Sequence, residues 1–146
     1  MKHIVVAAAI LTVVAVAGLR TVNAQSADFM TVTIPFDFEV SNRTFQAGDY
    51  RVKRSIEGSR VVIQLMSKFD DKSIYLPIHS VRSLEIQSTS KLIFNHYGDQ
   101  FFLRQVWLAG RIDGQELPKT KREQTVQRNV AMNKRKAGII EVAGNE

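Results

Sequence analysis

The chain has 146 residues, with 20 basic side chains against 14 acidic ones and no cysteine. That length suits one ordinary domain, and the lack of cysteine excludes a disulfide scaffold, a thiolate metal site, a cysteine nucleophile and a lipidated cysteine. The net charge of +6 invites a nucleic-acid or acidic-surface partner, so the location of the excess matters.

Met1-Lys2-His3 is positively charged, Ile4 to Leu19 is an apolar run of 16 residues, and Val22-Asn23-Ala24 follows as a small-residue cleavage pattern. This order predicts a secretory signal peptide, cut after Ala24 with Ala27 as second choice. The run is short of the roughly 20 residues of a spanning helix, so no stable membrane span is expected after cleavage. The expected division is a signal peptide over 1–24, an antiparallel β domain over 25–117, and a basic C-terminal helix or flexible tail over 118–146. The expected location is extracytoplasmic, either periplasmic or secreted.

From Met30 the pattern has period two. Met30, Val32, Ile34, Phe36, Phe38 and Val40 are apolar, and Thr31, Thr33, Pro35, Asp37 and Glu39 lie between them. Successive strand side chains point to opposite faces, so this predicts one half-buried strand. Pro35 cannot donate to a ladder and implies an edge strand or a bulge. An edge beginning near Met30 could pair with a second copy. Ser41-Asn42-Arg43 breaks the pattern, and Ala47-Gly48-Asp49 turns the chain.

Tyr50 and Val52 alternate with Arg51 and Lys53, and Glu57-Gly58-Ser59 leads into Val61 to Met66, which reads as a hairpin. Phe69 to Lys72 is a polar turn before a strand containing Ile74, Leu76 and Ile78. Leu84 and Ile86 predict a further short strand. Leu92-Ile93-Phe94, the turn Tyr97-Gly98-Asp99, and Phe101 to Leu108 predict another hairpin. Both faces of Phe101 to Leu108 are apolar, so this strand is either buried on both sides or meets a partner. Short strands with frequent turns and no intervening helix predict an all-β fold, a small antiparallel sandwich or barrel of about 6–8 strands.

Pro118 to Lys136 contains good helix formers but only a two-residue apolar stripe, Val126 and Val130. A loosely attached helix or partly disordered segment is expected there. Gly138, Gly144 and Asn145-Glu146 suggest a frayed end.

No catalytic motif is present, and no catalytic residue, metal ligand or cofactor is assigned. Beyond the leader the histidines are His79 and His96, and no spacing joins them to Asp70, Asp71 or Asp99 as a ligand set. Two candidate interaction groups remain. Tyr97, Phe101, Phe102 and Trp107 could form an aromatic surface. Lys119, Lys121, Arg122, Arg128, Lys134, Arg135 and Lys136 could contact an anion.

Phe36-Asp37-Phe38, Phe45 to Val52, Leu92 to Leu103, Val106-Trp107 and Glu116-Leu117-Pro118-Lys119 occur in this order. Over roughly Thr31 to Arg122 the chain resembles a group of short, signal-peptide-bearing, β-rich secreted bacterial proteins of uncharacterised function. The resemblance implies a bacterial envelope location and one β domain, and it brings no activity, ligand or site residue.

The leading expectation is a non-enzymatic module that binds or scaffolds an envelope protein or polymer, without specific nucleic-acid binding. The alternatives are electrostatic attachment to anionic polymer or membrane through the tail, and a small secreted enzyme of unrecognised type. Residues 25–116 hold 11 basic and 11 acidic side chains, whereas residues 117–146 hold 7 and 3. The excess therefore sits on the tail.

Overall fold

The computed structural model describes residues 28–146, so the expected signal peptide and both cleavage positions lie outside the described residues. Among the described residues, eleven strands form two sheets packed face to face, a sandwich and not a closed barrel, and one helix lies outside them. The four-stranded sheet has the order β1-β4-β5-β6, from β1 (Phe29–Ile34), β4 (Gly48–Glu57), β5 (Arg60–Ser67) and β6 (Ser73–Leu76). The seven-stranded sheet runs β11-β8-β9-β10-β7, from β7 (His79–Arg82), β8 (Lys91–Tyr97), β9 (Gln100–Trp107), β10 (Asp113–Glu116) and β11 (Ala137–Ala143). The hairpin of β2 (Phe38–Val40) and β3 (Arg43–Phe45) joins this sheet through Glu39 and Phe102.

The alternation from Met30 is real, but it serves two strands. β1 ends at Ile34, and the chain crosses at Pro35 to enter the other sheet as β2. Pro77 does the same between β6 and β7, dividing the strand expected around Ile74 to Ile78. Each proline withholds the N–H that a continuous ladder would need. These divisions, and a strand at the C-terminal end, raise the count above the expected 6–8. Met30, Val32, Ile34, Phe38 and Val40 are all buried in the common core, with Phe36 packed against it. The β2–β3 turn takes positive φ at both Ser41 and Asn42, the backbone of a tight two-residue hairpin.

The predicted strand at Leu84 and Ile86 is absent. The segment is a loop, with Leu84 100% exposed, because its backbone bonds go to the facing loop: Gln87 donates to Arg111 and Gly110 donates to Gln87.

A β-bulge explains the two apolar faces of β9. Ile93 opposes Gln105 and Phe94 opposes Leu103, leaving Arg104 as the extra residue. The insertion reverses which face successive side chains enter. Phe101 and Leu103 face the core before it; Val106 and Leu108 do so after it. Arg104 is held in place by a backbone bond from Leu117 and by its guanidinium, which reaches the Leu117 carbonyl and Glu116.

The C-terminal segment is not frayed. After α1 (Lys121–Met132) the chain returns as β11, antiparallel to β8 over seven residue pairs from Ala137–Tyr97 to Ala143–Lys91. Ile140 and Val142 then lie opposite Phe94 and Leu92. Beyond β11, Asn145 exchanges backbone bonds with Thr31 of β1, at 2.6 and 2.7 Å. The edge predicted near Met30 is thus covered at one position by the chain's own end.

Candidate functional site

The outer face of β8 and β9, the side away from the sandwich core, is where α1 docks. Thr120 starts the helix: its hydroxyl accepts the Glu123 N–H at 3.1 Å. Thr120 and Glu123 have the spacing of a capping box. The Glu123 side chain turns to the sheet instead, where it is buried and accepts the Asn95 amide at 2.8 Å and the Tyr97 hydroxyl at 3.3 Å. Burial, and then the Glu123 charge, push the Tyr97 phenol up to about 12. Val126 and Val130 complete the contact against Tyr97 and Phe102.

The helix ends in a Schellman arrangement. Arg135 N–H reaches the Val130 carbonyl at 3.0 Å and Lys134 N–H reaches Ala131 at 3.3 Å, with Lys134 at φ 52°. Gly98 at the β8–β9 turn donates to the Lys136 carbonyl at 2.8 Å, which steers the chain into β11.

The four candidate aromatics do not form one exposed surface. Tyr97 and Phe102 are buried beneath α1. Phe101 faces the core and stacks on Phe36 with centroids 4.0 Å apart. Trp107 is buried over Gly114, and its indole N–H donates to Gln105 at 2.9 Å. The bulge and the helix supply the cover that alternation within β9 does not reveal.

The seven tail cations separate into two groups. Arg122 is paired with Glu39 at 2.8 Å, and Lys119 donates to Gln127 at 3.1 Å while lying 6.0 Å above the Tyr97 ring. Lys121, Arg128, Lys134, Arg135 and Lys136 are exposed and, among the described residues, have no carboxylate within 4.0 Å. Lys121 and Arg128 are seven positions apart, on the solvent side of α1 opposite Glu123 and Val130. The other three occupy the helix-to-strand turn. The tail's acids offset them little: Glu123 is buried, and Glu141 is held by Lys91 at 3.2 Å.

A cleft of about 280 Å³ lies beside the first turn of α1, lined by Asp37, Glu39, Asp99, Phe101 and Arg122 among others. Two of its carboxylates have structural partners: Asp37 accepts the Ala47 N–H at 2.7 Å, and Glu39 holds Arg122. His79 and His96 are on β7 and β8, and with β9 and β10 between them these two strands lie roughly 14 Å apart. Among the described residues no group of three or more His, Cys, Asp or Glu side chains is placed to hold a metal ion.

No family model, no curated protein and no solved structure matches this chain.

Proposed function

We propose that this chain is a non-enzymatic, extracytoplasmic β module that attaches to an anionic component of the cell envelope through the basic exterior of α1 and the turn after it. One observation carries the reading: five exposed cations lack carboxylate partners among the described residues while two of the tail's three acids are buried or paired. Phosphate-rich polymers and acidic headgroups offer the multivalent negative charge that such a ridge recognises. The leader pattern of Met1 to Ala24 supports the location, and the reading requires no cofactor.

The test is binding of the purified protein to phosphatidylglycerol vesicles, phosphatidylcholine vesicles and inorganic polyphosphate over a salt series. Binding should be confined to the anionic probes and should weaken steeply with salt. Each of Lys121→Gln, Arg128→Gln and Arg135→Gln should lower the salt slope by roughly one. Equal binding to phosphatidylcholine, or binding unchanged in the triple variant, overturns the proposal. Deleting residues 119–146 is unsuitable as a test, because it also strips β11 from β8.

A further inference from the structure

The outer face of the four-stranded sheet lies on the other side of the sandwich from α1. Its registers set Phe29, Lys53, Gln64 and Tyr75 in one row across β1, β4, β5 and β6, with Thr31, Arg51, Met66 and Ser73 in the next. β1 and β6, at the ends of these rows, lie roughly 14 Å apart. Tyr75 is 61% exposed, which leaves its ring open to stacking. Phe29 carries the Arg51 guanidinium 5.4 Å from its ring centroid, which steadies that cation over the face. At β6 the face meets a recess of about 420 Å³, lined by Ser73, Lys72, Arg43, Thr44 and the buried Phe45. A volume of that order suits a small ligand or one end of a larger one.

Among the described residues, Arg43, Arg51 and Lys53 have no carboxylate within 4.0 Å. The neighbouring acids are largely engaged. Asp70 is held by Lys72 at 2.8 Å, Glu57 stands opposite Arg60, and Asp49 accepts the Thr33 hydroxyl beside Lys68. Asp71 remains, outnumbered by the three cations. We infer that the recess and the face beside it bind an acidic polysaccharide of the uronic-acid type, with its carboxylates on Arg43, Lys53 and Arg51 and a sugar ring on Tyr75.

The arrangement selects this occupant. Protein interfaces place apolar groups at the centre and polar groups at the rim. Here Lys53 and Gln64 hold the centre of the row, and the aromatics stand at its ends. Single-stranded nucleic acid stacks successive bases on several aromatic rings, and this face offers one open ring. Sugar hydroxyls, in contrast, find partners in Gln64, Thr44 and Ser73.

Isothermal titration calorimetry of the purified protein with a short galacturonate oligomer, a dextran oligosaccharide and oligo(dT) tests the inference. Binding to the galacturonate oligomer is expected, with little to dextran. Tyr75→Ala changes no charge, so it leaves the basic ridge of α1 as it is. It should nevertheless weaken binding about tenfold, while Tyr75→Phe should bind like the parent. The Lys121→Gln, Arg128→Gln, Arg135→Gln triple variant should keep its affinity for this oligomer. No binding, equal binding to dextran or tighter binding to oligo(dT) overturns the inference. So does a triple variant that loses binding while Tyr75→Ala keeps it, a result that would leave the ridge as the anion site. If Tyr75→Ala does not fold, Arg43→Gln combined with Lys53→Gln decides: unchanged affinity in that folded variant overturns the inference.

Discussion

Glu123 and Asn95 are joined at 2.8 Å across the interface between the helix and the sheet it covers. This buried carboxylate is the polar anchor of an otherwise small apolar contact. Glu123→Ala would leave the Asn95 amide and the Tyr97 hydroxyl without their acceptor, at a cost of about 2–3 kcal/mol. Glu123→Gln keeps an acceptor and should cost less. Urea unfolding measures both, and hydrogen exchange across α1 should show faster opening in the alanine variant.

The same contact predicts alkaline sensitivity. Tyr97 is raised from 10.0 to about 12 by burial and by Glu123, and Tyr50 is raised to about 12, mainly by burial. A phenol with a raised folded pKa stays protonated after the unfolded chain has begun to lose its proton. Its contribution is therefore complete below pH 10 and disappears as pH rises through 12. Urea midpoints should fall over that window, and Tyr97→Phe should make the fall shallower.

Gln115 is 1% exposed, and neither atom of its side-chain amide has a hydrogen-bond partner. Burying an amide without compensation is unfavourable, whereas an apolar side chain of similar length escapes that cost. Gln115→Met should raise stability by about 1–2 kcal/mol, read as a higher urea midpoint at unchanged slope.

Gly114 lies against the Trp107 indole. A Cβ there would come within 2.6 Å of the ring, too close without displacing it. Gly114→Ala should destabilise by about 1–3 kcal/mol and shift the emission of the only tryptophan.

Lys134 occupies the left-handed position that ends α1, where glycine carries no side-chain penalty. Lys134→Gly should stabilise by roughly 1 kcal/mol, measured by thermal melting. The same substitution removes one cation from the proposed binding ridge, so stability and anion affinity should move in opposite directions.

The β character was legible because Met30 to Val40 alternates cleanly and the Gly58 and Gly98 hairpins carry their own turn chemistry. The prolines were visible too, but a missing N–H does not say whether the chain bulges or changes sheets. That depends on which sheet accepts the next strand. β11 was hidden for a different reason: Ala137 to Ala143 is short, contains a glycine and draws its order from pairing with β8. The Val126–Val130 stripe identified the docking face of α1, whereas its third member, Glu123, escaped a search for apolar period because it docks through hydrogen bonds. Thr120-Lys121-Arg122-Glu123 carried a helix-start signal that could have fixed the boundary. The tail cations are evident in the sequence; which of them are neutralised depends on Glu39, 83 positions away from Arg122.

The bond pair between Thr31 and Asn145 spans 114 positions. On the ribosome, β1 is made long before its outer partner, which emerges 114 positions later. That outer contact can form only after synthesis of that segment, so the early chain waits with an unfinished edge on β1. Contacts of this range slow folding because the intervening loop has to be closed first. Removing Gly144 to Glu146 would therefore open the outer edge of β1.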